Sequence, residues 1–284
     1  MKLNIGESSA RINILIFSIL SLVIYVGTTL HLQHELEFEL ICLLFVPCLF
    51  YARCYRHYVS EVQELTKTTS RILIIYSLLY CVSIFFVHLL GSSVSYWLVQ
   101  FLIPVLILKF FHERLELLDF RWNQIFRDFW VVLVTGIIIL PFLLFSVRDS
   151  AQILVIARTW KILIYFPMSL LYMFVIVGFW EEFFFRGVVL KSILRLSRSP
   201  SLSIFTSALL FSSYHIPMRY FNTKSPYFEN LWGSISATIN EQFIMGLFLG
   251  FVVYKSRNVW HGVWLHSMLN GISFVYQLSL WFKI

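Results

Sequence analysis

Gly178-Phe179-Trp180-Glu181-Glu182-Phe183-Phe184-Phe185-Arg186-Gly187 sets two adjacent carboxylates and a guanidinium inside a run, about 163–190, that is otherwise apolar and aromatic. A run of this length without period-two alternation reads as a membrane-spanning helix, since only helices and closed barrels satisfy their backbone in lipid. In hydrocarbon an ionisable side chain costs a few kcal/mol or more, so it persists mainly where it is paired or does chemistry. Downstream, Phe211-Ser212-Ser213-Tyr214-His215 and His266-Ser267-Met268-Leu269-Asn270 place further polar groups in apolar runs. The remaining chain is read as the scaffold that brings these three stretches together.

The whole chain supports the membrane reading. Of 284 residues, 59% are hydrophobic and 13% charged, against about half and a quarter in soluble domains. The 18% aromatic content suits helices with ring side chains at the lipid interfaces. Apolar segments recur at about 12–30, 38–52, 72–91, 93–111, 129–147, 163–190, 201–217, 231–254 and 259–282. Two are short for a span, so an all-α, polytopic bundle of eight or nine spans is expected. Residues 1–159 supply N-terminal spans with no assignable chemistry, and 160–284 a catalytic core. The first run is expected to be an anchor and not a cleaved signal peptide, because a small-residue cleavage site is lacking.

The net charge of +7 does not indicate nucleic acid, because the basic residues stand at the ends of apolar runs. With the N-terminus placed in the cytoplasm, the inner segments hold sixteen Lys and Arg and the outer ones six. That bias predicts a multi-pass protein of the cell membrane with a cytoplasmic N-terminus. Cys42, Cys48, Cys54 and Cys81 show no CxxC spacing, and neither a disulfide nor a metal role is expected of them. Residues 55–71 and 112–128 mix both charge signs with apolar residues and read as interfacial helices or as plain connectors.

The spacing brings the polar groups to one depth. Seventeen residues separate Glu181 from Arg198, and seventeen more separate Arg198 from His215, with Ser197-Arg198-Ser199-Pro200-Ser201 as the turn. Each helical arm then rises about 25 Å, so Glu181 and His215 face each other across the hairpin. A second hairpin turns at Ser256-Arg257-Asn258 and carries His266 about 12 Å below it. The two depths agree if residues 187–197 protrude about 10 Å beyond the hydrocarbon. His266 and Asn270 share a helix face.

The two glutamates point about 100° apart on a helix and cannot share a job. Glu182 stands four before Arg186, the favourable order for a carboxylate–guanidinium pair. Glu181 is left to face a cavity as the chemical group, with Glu182 and Arg186 fixing it. His261 is expected at the interface and His88 at a span end. Glu241, a third acid within a late span, is left out of the candidate site; assisting it or lining a cavity is the minority reading.

With Glu-Glu-x-x-x-Arg at 181–186, Phe-x-x-x-His at 211–215 and His-x-x-x-Asn at 266–270, the chain resembles the CAAX protease and bacteriocin-processing family, in the wording of its bacterial branch. The resemblance covers about residues 160–284. The run Gln242–Gly250 also resembles a family segment whose small residues permit close helix packing. What the resemblance implies is an intramembrane endopeptidase acting on a membrane-embedded or lipid-anchored protein or peptide. Glu181 with His215 would activate a water, and His266 with Asn270 would stabilise the oxyanion. The family has also been described as metal-dependent. Two histidines and a glutamate could bind zinc, but HExxH is missing and a glutamate-type mechanism needs no cofactor.

Two other classes remain in view: an ion- or proton-coupled transporter, and a non-catalytic scaffold or immunity factor of the same fold. Against the transporter, the ionisable groups cluster in one half and no inverted repeat is visible.

Overall fold

The structure is a computed structural model that describes residues 47–55, 64–89, 96–146 and 150–282; among them every regular element is helical. After a helical stretch at 47–54 come α1 (Lys67–Leu89) and α2 (Tyr96–Phe110). Two 3-10 turns, Leu115–Leu118 and Trp122–Gln124, lead to α3 (Phe129–Ser146) and α4 (Ser150–Ala157). The C-terminal half holds α5 (Ile162–Ser197), α6 (Pro200–Tyr220), α7 (Leu231–Ser256) and α8 (Val259–Trp281). The expected span at 12–30 and the start of the next lie outside the described residues.

Both hairpin turns fall where the sequence places them, each closed by a left-handed residue and reopened by a capping side chain. Arg198 (φ 55°) ends α5; Ser199 then accepts from the Leu202 amide, with Pro200 in the first turn of α6. Arg257 (φ 52°) ends α7, and Asn258 caps α8 by accepting from the Trp260 amide.

Among the described residues, α1, α5 and α7 are long and apolar enough to cross a membrane; the 3-10 turns with α3, bent by 91°, make a fourth if taken as one span. Of the eight or nine runs expected, those at 12–30 and most of 38–52 lie outside the described residues, and α6 and α8 carry polar residues from Ser201 to Arg219 and from His261 to Ser279 that set them apart from the more apolar α1, α5 and α7. Of the two readings of 112–128, the structure shows the connector and not the interfacial helix. His112, Asp119 and Asp128 adopt left-handed backbone that interrupts any helix, while Leu118 and Phe120 are drawn into the core.

The 36 residues of α5 would extend about 54 Å, well beyond an apolar slab of about 30 Å. Its path bends from regular α geometry twice, in π-helical turns at Phe174–Gly178 and Phe183–Val189, which bracket Glu181 and Glu182. Such turns redirect side chains and recur at functional sites.

α8 is the central element, packed on α5, α3 and α7. One buried cluster joins Leu73 and Tyr80 of α1 to Phe183, Phe184 and Phe185 of α5 and Trp260 of α8. A second joins Val131 and Val132 of α3 to Phe248 of α7 and Leu269 of α8. Helices from both sides of residue 160 thus share one interior. Close approach needs small residues: a Cβ on Gly178 would strike the Ser267 hydroxyl and stand 3.0 Å from the Val263 carbonyl of α8.

Candidate functional site

Between the two π turns of α5, Glu182 is wholly buried, as is Arg186 one turn on. Arg186 Nη1 lies 2.9 Å from Glu182 Oε1, the i,i+4 pair read from the sequence. A second tie crosses between helices: His266 on α8 donates from Nδ1 to the same oxygen, at 2.8 Å. The arginine also donates to the Gly246 carbonyl of α7 at 3.4 Å and lies 4.4 Å from the Phe211 ring centre. Four helices are therefore joined through one ion pair.

Glu181 is differently placed. Its carboxylate is 8% exposed and makes no direct hydrogen bond among the described residues. Oε1 stands 3.9 Å from His215 Nε2 on α6, and Oε2 stands 3.8 Å from His266 Nε2 on α8. Both distances exceed a hydrogen bond. A buried carboxylate oxygen left without a partner is uncommon and marks a place where another group is to be met.

The second nitrogen of each imidazole is fixed from behind. His215 donates from Nδ1 to the Phe211 carbonyl at 2.8 Å, leaving Nε2 as a lone pair toward Glu181. His266 is held through Nδ1 by Glu182, which fixes the ring with Nε2 toward Glu181. Phe211 packs edge-on against both rings, its centroid 4.8 Å from that of His215 and 5.9 Å from that of His266. Asn270 is half-buried one turn further along α8, about 6 Å along its axis from His266.

Other polar residues lie elsewhere. Glu241 is exposed and paired with Arg219 at 2.5 Å, with Gln242 of α7 accepting from the same guanidinium at 3.0 Å. His261, expected at the interface, is buried instead; its Nε2 donates to the Arg127 carbonyl at 2.8 Å and its Nδ1 accepts from the Tyr51 hydroxyl at 3.2 Å. His88 stands in the last turn of α1, as its span-end position implied.

Sequence reasoning missed three features. The His266–Glu182 bond joins residues 84 apart, which no local spacing reports. Phe211 was visible only as a motif letter. Gly262 leaves room for Glu182: a Cβ there would stand 2.7 Å from Oε2 and 2.8 Å from the Val253 methyl. Its position one turn before His266 is the signal that could have found it.

As placed, these donors do not suit a metal. Among the described residues, no group of three or more His, Cys, Asp or Glu side chains is arranged to hold an ion.

The structure thus sets a buried acid beside two oriented imidazoles inside a bundle of apolar helices. Residues 163–272 match the family model described as type II CAAX prenyl endopeptidase Rce1-like. The match spans α5 through most of α8 and includes every residue of the site. It bears on the family and not on the bacterial branch read from the sequence. No curated protein and no solved structure gives a significant match. The family implies a CAAX-type intramembrane protease.

Proposed function

We propose that the protein hydrolyses a peptide bond of a membrane-associated protein or peptide, by a water that Glu181 and His215 activate together. The observation that carries this is the Glu181 carboxylate held 3.9 and 3.8 Å from two Nε2 atoms. Two acceptors 3.9 Å apart suit one water donating to each at about 2.8 Å, with an angle near ~90° at its oxygen. In the reaction, Glu181 takes a proton as the water oxygen bonds to the scissile carbonyl carbon. The oxyanion so formed accepts hydrogen bonds from His266 Nε2 and the Asn270 amide, and Glu181 returns the proton to the amide nitrogen as the C–N bond breaks. Glu182, itself held by Arg186, orients His266 through Nδ1. We place the protein in the cell membrane with a cytoplasmic N-terminus, from the distribution of Lys and Arg.

The test is cleavage of a membrane peptide added to the full chain in liposomes. The reading requires activity that is lost in Glu181→Gln, retained in Cys54→Ala and insensitive to chelators. Proton flux lost in the same glutamate variant, without cleavage, would replace it with the transporter. Neither cleavage nor flux in the wild type would leave a scaffold. Chelator-sensitive cleavage restored by zinc would overturn the metal-free step.

A further inference from the structure

A second polar constellation lies at the far end of α5, ten residues or about 15 Å along the helix from Glu181. There the ends of α5 and α7, the segment before α1 and the first 3-10 turn enclose an open cavity of about 450 Å³. Lys191, Arg195, Arg198 and Arg257 line it, together with Glu64 and Tyr254. Two carboxylates answer these cations: Asp119, buried behind the cavity, pairs with Lys191 and lies 3.1 Å from Arg257, and Glu64 pairs with Arg195. Four cations against two anions leave two positive charges in surplus, and Arg198 is exposed.

The surplus is built in. Arg198 and Arg257 both terminate their helices in left-handed backbone, a conformation that glycine adopts at less cost, so their side chains are held at the cavity at the expense of local strain. Complementing helix dipoles would explain one cation at each helix end and not a shared concavity. The cavity stands where the apolar length of α5 gives way to charge, and Leu196 and Leu202 on either side of Arg198 are exposed. That combination, a cationic recess beside lipid-facing leucines, has the chemistry of a headgroup seat with room for acyl chains alongside.

We propose that this cavity binds the phosphate of an anionic phospholipid headgroup, separately from the proteolytic site. The inference needs the membrane setting and does not depend on the hydrolytic mechanism. The experiment uses the purified full chain, native mass spectrometry to count retained lipids, and thermal unfolding in mixed micelles. Phosphatidylglycerol is the probe, with phosphatidylcholine and inorganic phosphate as the comparison arms. Phosphatidylglycerol should be retained and raise the midpoint, while the other two should not. Arg198→Gln should weaken retention about five-fold, and Arg198→Lys should restore most of it. Lys224→Gln, an exposed charge in the loop between α6 and α7, should have no effect. Equal retention of phosphatidylcholine, equal stabilisation by inorganic phosphate, or equal loss in Lys224→Gln would overturn the assignment. Because Arg198 has a single exposed guanidinium outside the buried pairs, its substitution leaves the Asp119 cluster intact.

Discussion

Neighbouring glutamates on α5 should give opposite phenotypes when each is changed to glutamine. Glu182 holds the buried Arg186 at 2.9 Å and accepts from His266 at 2.8 Å, so Glu182→Gln keeps the shape and removes the charge on which Arg186 rests. Breaking a buried ion pair from one side costs about 3–5 kcal/mol, because the remaining charge is left uncompensated. The other supports of Arg186, the Gly246 carbonyl and the Phe211 ring, are already present in the wild type and cannot make good the loss. The glutamine carbonyl can still accept one hydrogen bond, which brings the expected cost to about 3 kcal/mol. At about 2–4 °C per kcal/mol, the unfolding midpoint should fall by about 6–12 °C. Glu181, with no direct hydrogen bond to lose, should tolerate the same change within about 2 °C. Tryptophan fluorescence during heating in detergent reads both variants. Equal shifts in the two, or a larger one in Glu181→Gln, would refute the division of labour between the carboxylates.

Further outcomes follow from the same geometry. In the cleavage assay, Glu181→Gln should lower the rate about 10²–10⁴-fold, and Asn270→Ala about 10²–10³-fold with little change in substrate affinity. Gly262→Ala, which drives a methyl to 2.7 Å from Glu182 and 2.8 Å from Val253, should cost about 1–3 kcal/mol of stability by overpacking. By displacing His266 it should also slow cleavage about 10–100-fold, measured as kcat at saturating peptide. Asp119→Asn should strand Lys191 and Arg257 and destabilise by about 3 kcal/mol, seen as a lower melting temperature with kcat per folded molecule unchanged.

Much of this architecture is written in local pattern. The two hairpins are legible because Pro200 and the Ser199 and Asn258 caps are short-range signals, and equal arm lengths put Glu181 opposite His215 by arithmetic alone. The Glu182–Arg186 pair is legible because i,i+4 spacing on one helix fixes it. What local pattern could not carry is contact between helices. The bond from His266 to Glu182, the contact of Phe211 with both imidazoles and the space left by Gly262 depend on how α5, α6 and α8 rotate against each other. The π turns that set this rotation leave no signature in hydrophobic period. For the same reason the sequence left residues 112–128 open between an interfacial helix and a connector: mixed polarity suits both, and burial of Asp119 and Phe120 decides the outcome.

The most direct measurement compares new peptide termini in membranes from cells that carry the wild-type chain with those carrying Glu181→Gln, both digested in ¹⁸O water. A set of termini bearing a single ¹⁸O and present only with the intact carboxylate is the expected result. Identical termini in the two membranes, at equal protein levels, would contradict hydrolysis at this site.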